Sequence, residues 1–292
     1  MQFHLNGFHA GSPKIFTPAK GREGGQGAVP EKLDVLIIGS GPAGLTLAAQ
    51  LAAYPQIQTR IVEQKEGPMV LGQADGVSCR SMEMFKAFGF AEDVLKEGYW
   101  VNETNFWKPD IKNSSHIVRD ARVQDVKDGL SEMPHIILNQ ARVHDKYLEV
   151  MRHSPSRLEV DYQHRLMDLK IEPDEAYPVA VTLACADELK TVRARYVVGC
   201  DGARSVVRNA IGRELKGDYA NQAWGVMDVL PATNFPDIRF KCIIKSATHG
   251  NILLIPREGG HMVRMYVELD KINTRGESKK VTLEKLIATA QN

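Results

Sequence analysis

With 292 residues, 37 basic against 36 acidic side chains and a net charge of +1, the chain is long enough for one large or two ordinary domains, and it lacks the charge imbalance of a nucleic-acid or membrane-surface binder. No apolar run approaches the ~20 residues of a membrane span, and the first thirty residues lack the apolar stretch of a signal peptide, so a cytoplasmic protein acting on a small molecule is expected. Cys79, Cys185, Cys200 and Cys242 are widely spaced, without a CxxC pair or a Cys/His cluster. Neither a disulfide framework nor a metal site is expected, and the four read as buried, inert thiols.

In chain order, the first thirty residues hold six Gly and three Pro without periodic apolar positions, which predicts a flexible arm over 1–31. Leu33–Ile38 is a continuous apolar run suited to a buried parallel strand. Gly44–Ala53 follows as a helix stopped by Tyr54-Pro55, and Arg60–Glu63 supplies a second strand. Ser81–Phe88 predicts a short helix closed by Gly89, and Ala141–Arg152 an amphipathic one with Val143, Tyr147, Leu148 and Met151 on one face. From Leu158 the pattern changes to short β-rich runs, Val179–Leu183 and Thr191–Val198, and the second of these ends in the turn Gly199-Cys200-Asp201-Gly202 before a helix over Ser205–Ile211. Four further runs, Ala223–Leu230, Ile238–Lys245, Asn251–Ile255 and His261–Leu269, predict a second sheet, and Val281–Ala290 a final helix.

The turn after the first strand is Gly39-Ser40-Gly41-Pro42-Ala43-Gly44, and each glycine has a task. Gly39 allows a tight turn, Gly41 a close approach of backbone to a pyrophosphate, and Gly44 close packing of helix on strand. The helix N-terminus then presents free N–H groups to the phosphates. Glu63 closes the second strand nineteen residues after Gly44, near the ~20 expected of the acid that binds a ribose hydroxyl pair. An ordinary glycine turn in another α/β protein is the alternative.

This turn with Glu63, the stretch Leu71-Gly72-Gln73-Ala74-Asp75-Gly76, and Gly199-Cys200-Asp201-Gly202-Ala203-Arg204-Ser205 together resemble the class A flavoprotein aromatic hydroxylases. Ile255-Pro256-Arg257-Glu258 and Val263-Arg264-Met265-Tyr266 are similar to the phenol hydroxylase branch, and the resemblance covers almost the whole chain. It implies an α/β fold: a Rossmann-like FAD-binding βαβ domain of the GR2, p-hydroxybenzoate hydroxylase-like type, with a mixed β-sheet substrate domain. The expected boundaries are the arm at 1–31, the FAD domain at 32–215 with a β-rich insertion about 158–192, the substrate sheet at 216–280 and the start of a truncated helix at 281–292. The family's later Gly-Asp motif is absent, because the only Gly-Asp, Gly217-Asp218, runs into Tyr219-Ala220-Asn221. The chain therefore resembles the first half of such an enzyme, with the C-terminal part of the family fold missing.

The resemblance implies FAD as cofactor, NADPH or NADH as co-substrate, O2, a small phenolic or hydroxybenzoate substrate, and a homodimer. The implied reaction turns 3-hydroxybenzoate into 3,4-dihydroxybenzoate, with phenol as the alternative substrate and a catalytically incompetent FAD-binding fragment as the alternative of another class. Asp75 is expected to accept or orient the phenolic proton, since burial beside apolar groups moves a carboxylate toward useful basicity; a turn residue is the alternative. Tyr266 is expected at the substrate hydroxyl, or else as a core aromatic, and Arg257 toward the flavin, or else as a strand-end charge. Gln73, Gln140, Asp201 and Gly202 join Gly39, Gly41, Gly44 and Glu63 as expected cofactor contacts, although Gln140 and Asp201 would also serve at helix N-termini. A benzoate carboxylate needs a cationic partner, for which Lys241 and His135 are the candidates. Lys241 shares its predicted strand face with Arg239, Ile243 and Lys245, so a solvated face is the alternative.

Overall fold

The computed structural model describes residues 12–72, 74–185, 188–218, 222–247, 250–269 and 282–291, together with the backbone of two short paired strands, β1 (Phe3–His4) and β2 (Gly7–Phe8). The chain divides into two units, each built from two separated stretches: Met1–Gly72 with Gln140–Lys216, and Gln73–Asn139 with Gly217–Asn292.

The first unit is organised on β3 (Lys32–Ile38), which pairs in parallel with β4 (Thr59–Val62) on one side and with β13 (Glu188–Gly199) on the other. β10 (Val160–Asp161) adds a parallel strand beyond β4, while β12 (Val179–Cys185) and β11 (His164–Ile171) extend the other edge antiparallel, giving the order β10-β4-β3-β13-β12-β11. All four residues of β4 are buried, as a strand covered on both faces requires. Leu33, Leu36, Ile38, Val62, Val181, Leu183 and Val192 form the core. Helix α1 (Pro42–Ala52) packs on α4 (Gln140–His153), and Thr46 Oγ1 lies 2.8 Å from Tyr147 Oη between them. The short α5 (Val206–Ala210) follows β13.

Residues 12–31 are coil, yet the expected flexible arm is anchored over this stretch. Phe16 and Ala19 donate their N–H groups to the carbonyls of His153 and Pro155, and Gln26 exchanges hydrogen bonds with the backbone of Glu159. The buried Arg60 holds the end of the arm. Its Nε and Nη2 grip Asp161 at 2.8 and 2.5 Å, while Nη1 and Nη2 reach the carbonyls of Gln26, Ala28 and Gly27 at 2.8–3.1 Å. All five guanidinium donors are satisfied. Composition alone could not show this, because the arm contributes only backbone carbonyls.

The second unit holds a six-stranded sheet in the order β14-β17-β16-β15-β7-β8. Its strands are β7 (Glu103–Pro109), β8 (Ile117–Gln124), β14 (Trp224–Val229), β15 (Lys241–Ile244), β16 (Ile252–Pro256) and β17 (Val263–Glu268). A three-stranded sheet places β9 (His135–Ile137) between β5 (Gly76–Val77) and β6 (Tyr99–Val101), with α2 (Cys79–Ala87) and α3 (Ala91–Glu97) in the same stretch. The expected boundary near residue 215 is therefore incomplete. Residues 73–139 belong with the second unit because β7 pairs in parallel with β15, Lys241 opposite Thr104 and Ile244 opposite Trp107. The strand predicted over Ile238–Lys245 begins only at Lys241, after a turn, so Arg239 does not share its face. The last helix, α6 (Leu283–Gln291), packs Leu286 against Ala223, Val267 and Leu269; Val281 lies outside the described residues.

Replacing Arg60 with Ala leaves Asp161 without its buried partner and is expected to cost about 3 kcal/mol of stability. Chemical denaturation should show that loss, and limited proteolysis should cut within residues 12–31 of the variant while sparing the parent protein.

Candidate functional site

In the first unit the glycine turn has the geometry its spacing implies. Gly39 has a φ of +100°, and a Cβ there would lie 2.6 Å from the Cys200 carbonyl oxygen. Gly44 packs so closely that a Cβ would come within 2.0 Å of the Gly39 oxygen. Gly41 differs: a Cβ there would meet nothing nearer than 4.0 Å, so its backbone borders open space. Gly41 is also the N-cap of α1, no side chain caps that helix end, and its first turn carries no acid. No side chain thus competes for the N-terminal N–H groups and dipole of this eleven-residue helix. The Glu63 carboxylate lies over the same turn and accepts from Ser40 N at 2.9 Å, Ser40 Oγ at 3.1 Å and Lys65 N at 3.1 Å. The cradle and its acid fit a dinucleotide.

Asp201 is committed to α5. Its Oδ1 accepts from Ser205 Oγ at 2.5 Å, and its Oδ2 accepts from the N–H groups of Val206 and Val207 at 2.6 and 3.2 Å. Gly202, with a φ of +80°, lies on the wall of a cavity of about 580 Å3 together with Ala43 and Cys200. Leu169, Ile171, Val179, Val197 and Val207 make much of that wall apolar, which suits a hydrophobic group better than a pyrophosphate. Gln140 is the first residue of α4, and Gln73 lies outside the described residues.

In the second unit Asp75 precedes β5 and is fixed by its own carbonyl, which accepts from Leu138 N at 2.9 Å. Its side chain is only 3 % exposed and faces two guanidiniums: Arg257 Nη1 lies 3.0 Å and Arg264 Nη1 2.5 Å from the same oxygen, Oδ2. Oδ1 is buried and has no hydrogen-bond partner among the described residues. Burial pushes the Asp75 pKa up, against the lowering pull of Arg257 and then Arg264, while Glu258 and Asp228 add to the rise. Tyr266 lies two residues along β17 from Arg264, on the same strand face, and raises the Arg264 pKa. One arginine therefore faces both Asp75 and Tyr266. Arg257 is a buried member of this ion-pair network, with its side chain 5 % exposed, and not a solvated strand-end charge.

Lys241 and His135 meet at a third residue, Asp125. Lys241 Nζ lies 3.0 Å from Asp125 Oδ1, and His135 Nδ1 2.9 Å from Asp125 Oδ2. Burial disfavours the Asp125 charge, but the hydrogen bonds from Lys241 and His135 outweigh it and hold the carboxyl below its usual range. Lys241, with its side chain 22 % exposed, lies in an ion pair and not on a solvated face. His135 Nε2 is turned toward the residue after Asp75: a Cβ on Gly76 would lie 3.3 Å from it. In strand register, Lys241 and Ile243 on β15 share a sheet face with Leu253 and Ile255 on β16 and with Arg264 and Tyr266 on β17. Arg264 could have been found in the sequence from its spacing to Tyr266, but Asp125 and Asp228 carry no local signal.

A family model described as FAD binding domain matches residues 32–292. The 3-hydroxybenzoate 4-monooxygenase of Comamonas testosteroni is 62% identical, aligned over 100% of this chain and 47% of its own length. The FAD-dependent monooxygenase terD of Aspergillus terreus is 43% identical over 87% of this chain and 42% of its own, and the phenol 2-monooxygenase fsqG of Aspergillus fumigatus 33% identical over 89% and 43%. The chain thus spans about half, or somewhat less, of the length of these relatives. Among solved structures, p-nitrophenol 4-monooxygenase PnpA from Pseudomonas putida DLL-E4 superposes with a TM-score of 0.72 at 18% identity, over 88% of this chain and 63% of that one. Aklavinone-11 hydroxylase, solved with FAD and aklavinone, gives 0.68 at 21% identity over 89% and 50%. At such identities the likeness is one of fold, and the expected α/β fold class is borne out. Among the described residues no cluster of His, Cys, Asp and Glu could hold a metal, and no helix is long and apolar enough to cross a membrane.

Gly41 and Gly44 separate binding from folding. Gly41→Ala is expected to leave the thermal midpoint within a degree or two while weakening FAD binding about tenfold, because the added methyl enters the open side of the turn. Gly44→Ala, which drives a methyl into the Gly39 carbonyl, should instead lower the midpoint by several degrees, roughly 2 kcal/mol of overpacking. Flavin fluorescence titration and differential scanning calorimetry on both variants distinguish the two effects.

Proposed function

Because the chain belongs to the FAD binding domain family, we propose that it forms the cofactor- and substrate-holding part of a flavoprotein monooxygenase that hydroxylates a phenolic acid. The reaction is 3-hydroxybenzoate + O2 + NAD(P)H + H+ giving 3,4-dihydroxybenzoate + H2O + NAD(P)+. The observation that carries it is the buried Asp75 carboxylate with one oxygen held by two arginines and the other unpartnered.

Bound FAD would supply the redox chemistry, accepting hydride from NAD(P)H and activating O2. The chain would hold it through the Gly39–Gly44 turn, with the α1 N-terminus toward its pyrophosphate and Glu63 toward a ribose hydroxyl pair. Gln73, Gln140 and Gly202 are further contacts in this reading, and Asp201 acts through the α5 N-terminus that it caps. This reading suits the expected cytoplasmic location, where NAD(P)H is available.

Asp75 Oδ1 accepts the phenolic proton and so makes the ring electron-rich. Its raised pKa improves it as a base, since a carboxylate in the ordinary range takes a phenol's proton only weakly. Tyr266, beside Arg264, orients the same hydroxyl. The carboxylate is received by Lys241 and His135. Lys241 spends one of its three ammonium donors on Asp125. Its remaining donors suit a benzoate carboxylate, which a phenol lacks, and so favour the hydroxybenzoate.

In the full-length protein, Asp75→Asn should lower substrate-dependent NAD(P)H oxidation about 100-fold, in the range of losing a general base, without lowering the thermal midpoint. The parent rate should rise with pH through a limb above the usual carboxylate range, because Asp75 must lose its proton to act and burial raises its pKa; the limb should vanish in the variant. A wild-type rate in Asp75→Asn overturns the assignment.

Lys241→Met should raise the KM for 3-hydroxybenzoate at least about 30-fold, matching the ~2 kcal/mol or more of a buried charge partner. It should leave turnover of phenol no worse. Steady-state kinetics with both substrates checks this, and equal losses for the two would remove the benzoate reading.

A further inference from the structure

Arg257 and Arg264 both approach Asp75, and each could close a two-pronged pair on its carboxylate, the preferred geometry of arginine with an acid. Neither does. Arg264 spends its Nε and Nη2 on Asp228, at 2.7 Å to each carboxylate oxygen. Arg257 spends its Nε and Nη2 on Glu258, at 3.0 and 2.8 Å. What each arginine offers Asp75 is Nη1: both Nη1 atoms converge on Asp75 Oδ2, that of Arg257 also lying 3.3 Å from Asp228 Oδ2.

We propose that Asp228 and Glu258 are positioning residues that hold the Nε edges of Arg264 and Arg257 away from Asp75, so that Oδ1 is left unpaired for the substrate hydroxyl. This rests on Asp75 as the proton acceptor and adds what keeps that acceptor available. The arrangement also sets the local charge, since three carboxylates face two guanidiniums. Without Asp228 and Glu258, two cations would press on one acid and hold it ionised but weakly basic. The groups facing Asp75 are Asp228 from β14, Arg257 and Glu258 from the end of β16, Arg264 and Tyr266 from β17, and His135 from β9 beside Gly76. Glu258 is itself held in place, accepting from Asn139 N at 3.3 Å as well as from Arg257.

The role predicts an effect that depends on the substrate hydroxyl. With Asp228→Asn, the Arg264 fork loses its anion and turns to Asp75, covering Oδ1. In the full-length protein, equilibrium titration should show about tenfold weaker binding of 3-hydroxybenzoate and unchanged binding of benzoate, which lacks the hydroxyl. The acid limb of the pH profile should move to lower pH, because removing an anion beside Asp75 lowers its pKa. Glu258→Gln, acting on the other arginine, should change both readouts in the same direction, and it carries the test if Asp228→Asn fails to fold. Equal weakening for the two ligands, or no change in either ligand or in the limb, overturns the inference. Asp75→Asn separates this from the underlying reading. If that variant still binds 3-hydroxybenzoate and turns it over as the parent does, Asp75 is not the acceptor. If it loses both while Asp228→Asn and Glu258→Gln behave like the parent, only the positioning role fails.

Discussion

Parallel pairing of β7 with β15 is the constraint on which the second unit depends. These strands are more than a hundred residues apart in sequence, and a parallel pair always requires a crossover between its members. Once Lys241 lies opposite Thr104, the segment before Gln140 becomes part of the same body as the segment after Gly217. Asp75, Asp125 and His135 come from the first of these, and Asp228, Lys241, Arg257, Arg264 and Tyr266 from the second. Asp75 meets Arg257 and Arg264, and Asp125 meets Lys241, only across the two segments.

The charges themselves follow one rule, that a buried ion persists only with its hydrogen-bonding capacity nearly filled. Asp125 satisfies it with a lysine and a histidine, and Arg264 with Asp228 and Asp75. Asp75 is the exception, filled at Oδ2 and unfilled at Oδ1. An unsatisfied buried acceptor costs on the order of 1–3 kcal/mol, and the surrounding network tolerates it because the arginines are anchored elsewhere. Departures of this kind from full satisfaction are where chemistry is to be sought.

The first unit solves a different problem with little charge. Its cradle is made from backbone, and the three glycines act by what they leave out: a Cβ at Gly39 or Gly44 would collide with neighbouring backbone, and one at Gly41 would project into the opening. Arg60 makes the opposite use of a side chain, collecting three carbonyls and a carboxylate so that a coil rich in glycine and proline is pinned to the sheet. A single long side chain there replaces the ladder hydrogen bonds that coil cannot make.

The strand, turn, helix, strand and acid over residues 32–63 were legible in the sequence because each step is local: apolar runs, glycines at fixed spacing, and an acid at a fixed distance. The amphipathic face of α4 was legible for the same reason, with Val143, Tyr147 and Met151 buried. β6 to β9 were not, since β8 is exposed along its whole length and β6 and β9 are only three residues each, too short to show a period. Asp75, Arg257, Tyr266, His135 and Lys241 could be named from motifs, but their partners Asp125, Asp228 and Glu258 are assigned by cross-strand register and loop contacts. By itself the sequence determined the glycine turn and the kinds of side chain available, because those depend on neighbours a few residues away. Only the tertiary structure decided which carboxylate each cation holds and which acceptor is left unpaired, because an ion pair depends on distance in space.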